Sequence, residues 1–168
     1  VDQRLRPWGT AGQLAIPVVA CEDYYEVHGR EWERFALLKA RAVAGDLALG
    51  QALLAHLRPF MYRKYLDFGV FESIRDLKSK IEAEVRRTGK QTNVKVGRGG
   101  IREVEFIVQA MQLLRGGQIP ALQVTGFLQA LDALAEAQII GSEERDRLRS
   151  DYVWLRHVEH VIQAADDQ

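Results

Sequence analysis

The sequence predicts a mainly α fold: a helical bundle with a short β remnant at the N-terminus. Three observations predict it. About two-thirds of the 168 residues sort onto helical periodicities, against a usual share of roughly one-third. One stretch, residues 101 to 115, is apolar nearly all round: Val104, Phe106, Ile107, Val108 and Ala110, then Met111, Leu113 and Leu114. A helix of that kind must be surrounded by others, so it reads as the central one. Only Val1 to Leu5, Gln13 to Ile16 and Val94 to Val96 read as short strands.

The elements follow in order. VDQRL alternates apolar and polar residues and stops at Pro7. Gly9 and Gly12 flank a turn, and Gln13 to Ile16 can pair back before Pro17. Glu22 to His28 is a short helix ended by Gly29. Glu31 to Ala44 is a second, with Trp32, Phe35, Ala36, Ala42 and Val43 on its apolar side and Lys39 among them. Asp46 caps the helix Leu47 to Leu57. Pro59 opens the short helical stretch PFMYRKYLDF. Val70 to Arg87 is long and amphipathic, with Phe71, Ile74, Leu77, Ile81 and Val85 on one face and Lys78 at its edge. TGKQTN breaks it and leads through Val94 to Val96 into the central helix. Thr125 caps a helix bearing Phe127, Leu128, Leu131 and Leu134. Ser142 starts the last, which buries Leu148, Tyr152, Leu155, Val158, Val161 and Ile162 and exposes His157 and His160.

Composition bounds the function. Net charge is zero, so no global attraction to nucleic acid or anionic lipid is indicated. The single cysteine, Cys21, excludes an internal disulfide and fits a reducing compartment. No apolar run spans a bilayer and no secretory signal opens the chain. Without an initiator Met and with a strand at once, it reads as a fragment of a longer cytoplasmic protein.

Few residues stand out chemically. In the central helix, Arg102, Glu105, Gln109 and Gln112 form one polar stripe, but Glu103 falls within the apolar arc. A buried carboxylate must be paired, hydrogen-bonded or protonated. It is either half of a structural ion pair or faces an active site. Lys39 and Lys78 lie on or beside apolar faces, where lysine snorkels or pairs. Asp2 shares a strand face with Arg4 and Arg6, which suits a metal with phosphate oxygens or, more plainly, a solvated edge. The GRGG turn, with Lys95, Arg98 and Arg102 nearby, could hold an anion at the helix N-terminus or simply start the helix. The four histidines show no metal-ligand spacing, and no Ser-His-Asp arrangement is evident.

Four long motifs in order carry a resemblance over nearly the whole chain: VDQRLRPWGTAGQL, EDYYEVHGREWERFALLKAR, RPFMYRKYLDFGVFESIRDLK and NVKVGRGGIREVEFIVQAMQLLRGG. Together they resemble the glutamine synthetase adenylyltransferase family, a bifunctional, multifunctional-enzyme family with an adenylylating and an adenylyl-removing half. EDYY-GREWER, PFMYRKYLDF and GGIREVEFIVQ are similar to the N-terminal half. The resemblance implies removal of AMP from a tyrosine of glutamine synthetase by phosphorolysis, giving ADP, in the control of nitrogen metabolism. It implies a polymerase-β-like nucleotidyltransferase site, with ATP, ADP and inorganic phosphate as substrates or products, and Mg²⁺ held by three carboxylates. Asp2 matches the third of these; the Gly-Ser and Asp-x-Asp turn that supplies the others is absent. Residues 1–45 would be the C-terminal part of that domain and 46–168 its helical extension. Glu103 and Glu105 become catalytic candidates with Asp2. Arg4, Arg6, Lys39, Lys95, Arg98 and Arg102 become candidates for holding phosphate groups.

With one metal-binding carboxylate, the fragment alone is expected to be inactive. The competing reading is a helical docking or regulatory module for glutamine synthetase or the PII protein, both implied by the resemblance. A nucleic-acid-binding reading would rest on Arg86, Arg87, Lys90, Lys95, Arg98 and Arg102. Interleaved glutamates and zero net charge argue against it.

Overall fold

The computed structural model describes residues 5–62, 68–89 and 93–166. Their architecture is all-helical: α1 Val18–Val27, α2 Glu31–Leu37, α3 Leu47–His56, α4 Arg58–Met61, α5 Phe68–Arg87, α6 Ile101–Arg115, α7 Phe127–Glu136 and α8 Ser142–Asp166. No strand occurs among the described residues, which corrects the expected β remnant. Of the strand expected over Val1 to Leu5, only Leu5 lies within the described residues. Gln13 to Ile16 is a loop because Arg6 folds the segment on itself, its Nε donating to Gly12 O at 2.9 Å and its Nη2 to Thr10 O at 3.2 Å. Val94 to Val96 is a turn instead of a strand. Asn93 Oδ1 accepts from Lys95 N at 3.0 Å and Val96 N at 3.2 Å, which curls the backbone.

Two hydrophobic cores hold the helices. The first joins Tyr24, Tyr25 and Leu38 to Leu57, Met61, Tyr62 and Leu113. The second joins Val108 to Leu122, Ala130, Leu131, Ala133, Leu134 and Ile140. α6 therefore serves both, and it packs on α2, α7 and α8. The central position expected from its apolar surface is what the fold gives it. Gly29 follows α1 where a Cβ would stand 2.4 Å from the Phe60 ring, so only glycine lets α4 come this close.

Several boundaries moved. α1 begins at Val18, directly after Pro17. The helix expected to run to Ala44 stops at Leu37: Lys39 N and Ala40 N bond back three residues, to Ala36 O and Leu37 O. This tight turn seats Leu38 in the first core and leaves Val43 64% exposed. Asp46 caps α3 as expected, accepting from Leu49 N at 3.0 Å. Thr125 does not cap α7; Gly126 occupies that position with no side-chain bond. Ser142 begins α8. Its distal residues depart from expectation, since Val161 and Ile162 are exposed, beside Trp154 at 64%. Val153, Trp154, Val161 and Ile162 thus lie on a side of α8 that the described residues leave uncovered. Among the described residues no helix is long and apolar enough to cross a membrane.

Candidate functional site

A groove of about 1080 Å³ opens between α2, α5, the 93–100 turn and α6. Trp32 and Phe35 of α2, Ile81 and Val85 of α5, and Phe106 of α6 form its apolar walls. The Phe35 and Phe106 rings stack at 4.9 Å with 4° between their planes. Glu103, Glu105, Arg98 and Arg102 all line it, so a good part of the sequence-derived set is gathered here.

The sequence outliers find one another. Glu103 lies in the first turn of α6, where its Oε2 accepts from Gly99 N at 2.7 Å and its Oε1 meets Lys78 Nζ at 3.1 Å. The Gly99 N–H above all, helped by Lys78 and Arg98, holds its carboxyl below the usual range against the opposing effect of burial. Its side chain is 28% exposed, so the deep burial expected from the apolar arc is corrected: the arc reaches the groove rim here. Two residues on, Glu105 Oε2 meets Lys39 Nζ at 3.0 Å, and its Oε1 accepts from Tyr152 OH at 3.0 Å. Burial, with the Glu105 charge, pushes the Tyr152 phenol up to about 12.

The basic candidates divide. Lys95 turns away from the groove and pairs with Glu159 of α8 at 3.1 Å, so it ties the turn to the bundle. Arg6 is engaged by the loop carbonyls of Gly12 and Thr10. Arg98 and Arg102 are exposed, line the groove, and form no hydrogen bond or ion pair through their guanidiniums with any described residue. Asp2 and Arg4 lie outside the described residues.

The turn before α6 does not offer the anion cradle its glycines suggested. Ile101 N donates to Val94 O and Arg102 N to Lys95 O, both at 3.0 Å, while Glu103 N bonds Gly100 O. Glu103's own carboxylate occupies the Gly99 N–H. The helix N-terminus is thereby satisfied from within the chain. Among the described residues no three His, Cys, Asp or Glu side chains gather to hold a metal ion.

Some polar centres escaped sequence reasoning. Glu33, 1% exposed, accepts from Tyr24 OH at 2.9 Å and Arg30 N at 2.8 Å. It stands three residues after Arg30, the capping-box spacing, which was the available signal. Gln112, assigned to the polar stripe, is 3% exposed and donates through Nε2 to Leu122 O and Val124 O, each at 2.8 Å. Glu159 is buried between Lys95 and Arg156.

Comparison with known proteins places these helices. A family model described as Glutamate-ammonia ligase adenylyltransferase matches residues 1–56, and one described as GlnD PII-uridylyltransferase matches residues 75–168. Bifunctional glutamine synthetase adenylyltransferase/adenylyl-removing enzymes align with all of the chain: that of Hahella chejuensis is 50% identical and that of Nitrosococcus oceani 52% identical over 168 residues. The enzyme of Pseudomonas syringae pv. tomato is 49% identical over the same length. In each case the chain spans 17% of the length of the relative. With motifs and alignment agreeing from end to end, the chain belongs to the family of bifunctional glutamine synthetase adenylyltransferase/adenylyl-removing enzymes.

Proposed function

We propose that this chain is part of the N-terminal, adenylyl-removing half of such an enzyme, acting in the cytoplasm on glutamine synthetase. In this reading residues 1–45 complete a nucleotidyltransferase domain and residues 46–168 form its helical extension. The observation that carries it is identity near one-half across the whole chain to enzymes named for both activities. The motifs EDYY-GREWER and GGIREVEFIVQ favour the adenylyl-removing half.

The reaction is a phosphorolysis. A phosphate oxygen attacks the phosphorus of the tyrosyl-AMP ester, the bond to the tyrosine oxygen breaks, that oxygen takes a proton, and ADP leaves. Such transfers depend on positioning and charge neutralisation. Arg98 and Arg102 are the candidates left for anionic groups, since Lys95 and Arg6 are engaged elsewhere. Glu103 and Glu105, each held by a lysine, act as positioning residues that brace α5 and α2 against α6. The described residues do not by themselves fit a magnesium cage, and no step is routed through one. Asp2 would be one ligand, with the rest supplied from outside this chain.

The 168-residue chain, given adenylylated glutamine synthetase, phosphate and Mg²⁺, is expected to release no ADP above the blank; turnover at the parent enzyme's rate overturns its partial character. In the full-length enzyme, Asp2→Asn should abolish AMP removal and leave AMP addition intact. The reverse outcome assigns the chain to the other half.

A docking module for glutamine synthetase or the PII protein is the second reading. The exposed apolar residues Trp154, Val161 and Ile162 on α8 favour it. Full-length enzyme carrying Trp154→Glu should then lose binding to one of these proteins in a pull-down with the pure partner. Retained binding to both removes this reading.

A further inference from the structure

The groove beside α6 carries a charge surplus that its own side chains leave unbalanced. Its four acids are met within the chain by three cations: Glu82 and Glu103 share Lys78, Glu84 meets Arg87, and Glu105 meets Lys39. Its remaining cations, Lys80, Arg86, Arg98 and Arg102, make no side-chain hydrogen bond or ion pair with any described residue. These four charges are distributed over α5, the 93–100 turn and α6. Lys80 and Arg86 alone are separated along α5 by about 9 Å at the helical rise. Between them lies an apolar floor, with Trp32 37% and Ile81 41% exposed beside the stacked Phe35 and Phe106 rings.

Dispersed cations around an aromatic floor do not suit one compact anion. A phosphate needs donors that converge, and the N–H groups at the start of α6 are already used by Val94 O, Lys95 O and the Glu103 carboxylate. The volume, about 1080 Å³, lies at the upper end of the range of small-molecule pockets, roughly 300–1,000 Å³, and leaves room for a peptide segment. Carboxylates spaced along an extended segment, with aromatic or aliphatic side chains between them, match both features. We propose that this groove is a docking site for an acidic peptide segment of a protein, its apolar side chains resting on Trp32, Phe35 and Phe106 and its carboxylates on Arg98 and Arg102. The proposal takes Arg98 and Arg102 from the phosphate-holding role offered above and gives them to peptide carboxylates, and it holds whichever half the chain comes from.

The test uses the 168-residue chain and a fluorescein-labelled nonapeptide of alternating glutamate and phenylalanine, followed by anisotropy. Binding is expected to be at least tenfold tighter than for the same peptide with lysine in place of glutamate, or with serine in place of phenylalanine. It should weaken steeply as salt rises, because exposed charges are screened. Arg98→Ala/Arg102→Ala should weaken binding at least tenfold with an unchanged melting temperature, and Arg147→Ala on the far face of α8 should not. Equal binding of the lysine peptide, or undiminished binding by the double variant, overturns the proposal. Displacement of the peptide by ATP or by an oligothymidylate at equimolar concentration overturns it in favour of a nucleotide or nucleic-acid site.

Discussion

Lys39 and Glu105, sixty-six positions apart in the sequence, meet at 3.0 Å across the α2–α6 contact. Glu105 also accepts the Tyr152 hydroxyl, so one carboxylate links three parts of the bundle. Lys39 is 45% exposed, and solvent screens its share of the pair. Lys39→Met should therefore cost less than about 1 kcal/mol. Glu105→Ala should cost more, about 1–2 kcal/mol, because it strands a half-buried phenol as well. Urea unfolding of the two single variants and the double variant measures the coupling.

Glu33 presents a harsher case. Its carboxylate is buried at 1% exposure and satisfies both Tyr24 OH and Arg30 N. Glu33→Ala removes two partners and opens a void, and should cost about 2–4 kcal/mol. Tyr24→Phe deletes only the hydroxyl and should cost about 1 kcal/mol. A chemical-denaturation series ranks the two, and an equal cost would show that the Tyr24–Glu33 bond carries the effect while the void and the Arg30 N–H add little.

Gln112 holds Leu122 O and Val124 O, the carbonyls of the connection between α6 and α7. Gln112→Leu preserves bulk but leaves both carbonyls without this donor in a dry site. A loss of about 1–3 kcal/mol is expected, seen as a lower melting temperature with unchanged helical circular dichroism.

Acid should weaken the turn that precedes α6. The Glu103 carboxyl is held below its ordinary value by the Gly99 N–H and Lys78, and that of Glu159 by Lys95. A depressed folded-state pKa means stability that is complete above the unfolded value, near 4.5, and is lost as pH falls through the folded one. Denaturation midpoints measured from pH 7 to pH 3 should fall below pH 4.5, and Glu103→Gln should flatten part of that fall. Reversal at the same position, Glu103→Lys, sets a cation against Lys78 and Arg98, and should cost more than Glu103→Gln. The exposed Glu143→Lys should change stability by no more than about 0.5 kcal/mol.

The fold was legible where periodicity was long. The all-apolar surface of 101–115 announced a central helix, and of the two fates open to lysines on apolar faces, snorkelling or pairing, Lys39 and Lys78 take pairing, with glutamates of α6. Short segments misled. Val94 to Val96 has strand-forming side chains, but the Asn93 amide bends the backbone, a local effect that β-propensity does not contain. Gln112 lay on the polar stripe by angle and turned out buried, because the α6–α7 connection folds over it. Glycines before a helix left open an anion site or a plain helix start, and the chain's own carbonyls and Glu103 take up the N–H groups, so they start the helix. Nothing in the spacing of residues revealed how α5 would stand off from α6 and leave a groove.

Val108 and Leu113 lie little more than one turn apart on α6, and each is planted in a different hydrophobic core. Neither core can loosen without disturbing the same rigid rod. Heat should consequently meet a single cooperative transition, and a lesion near Leu134 should be felt at Tyr25, through the shared axle and not through any direct touch.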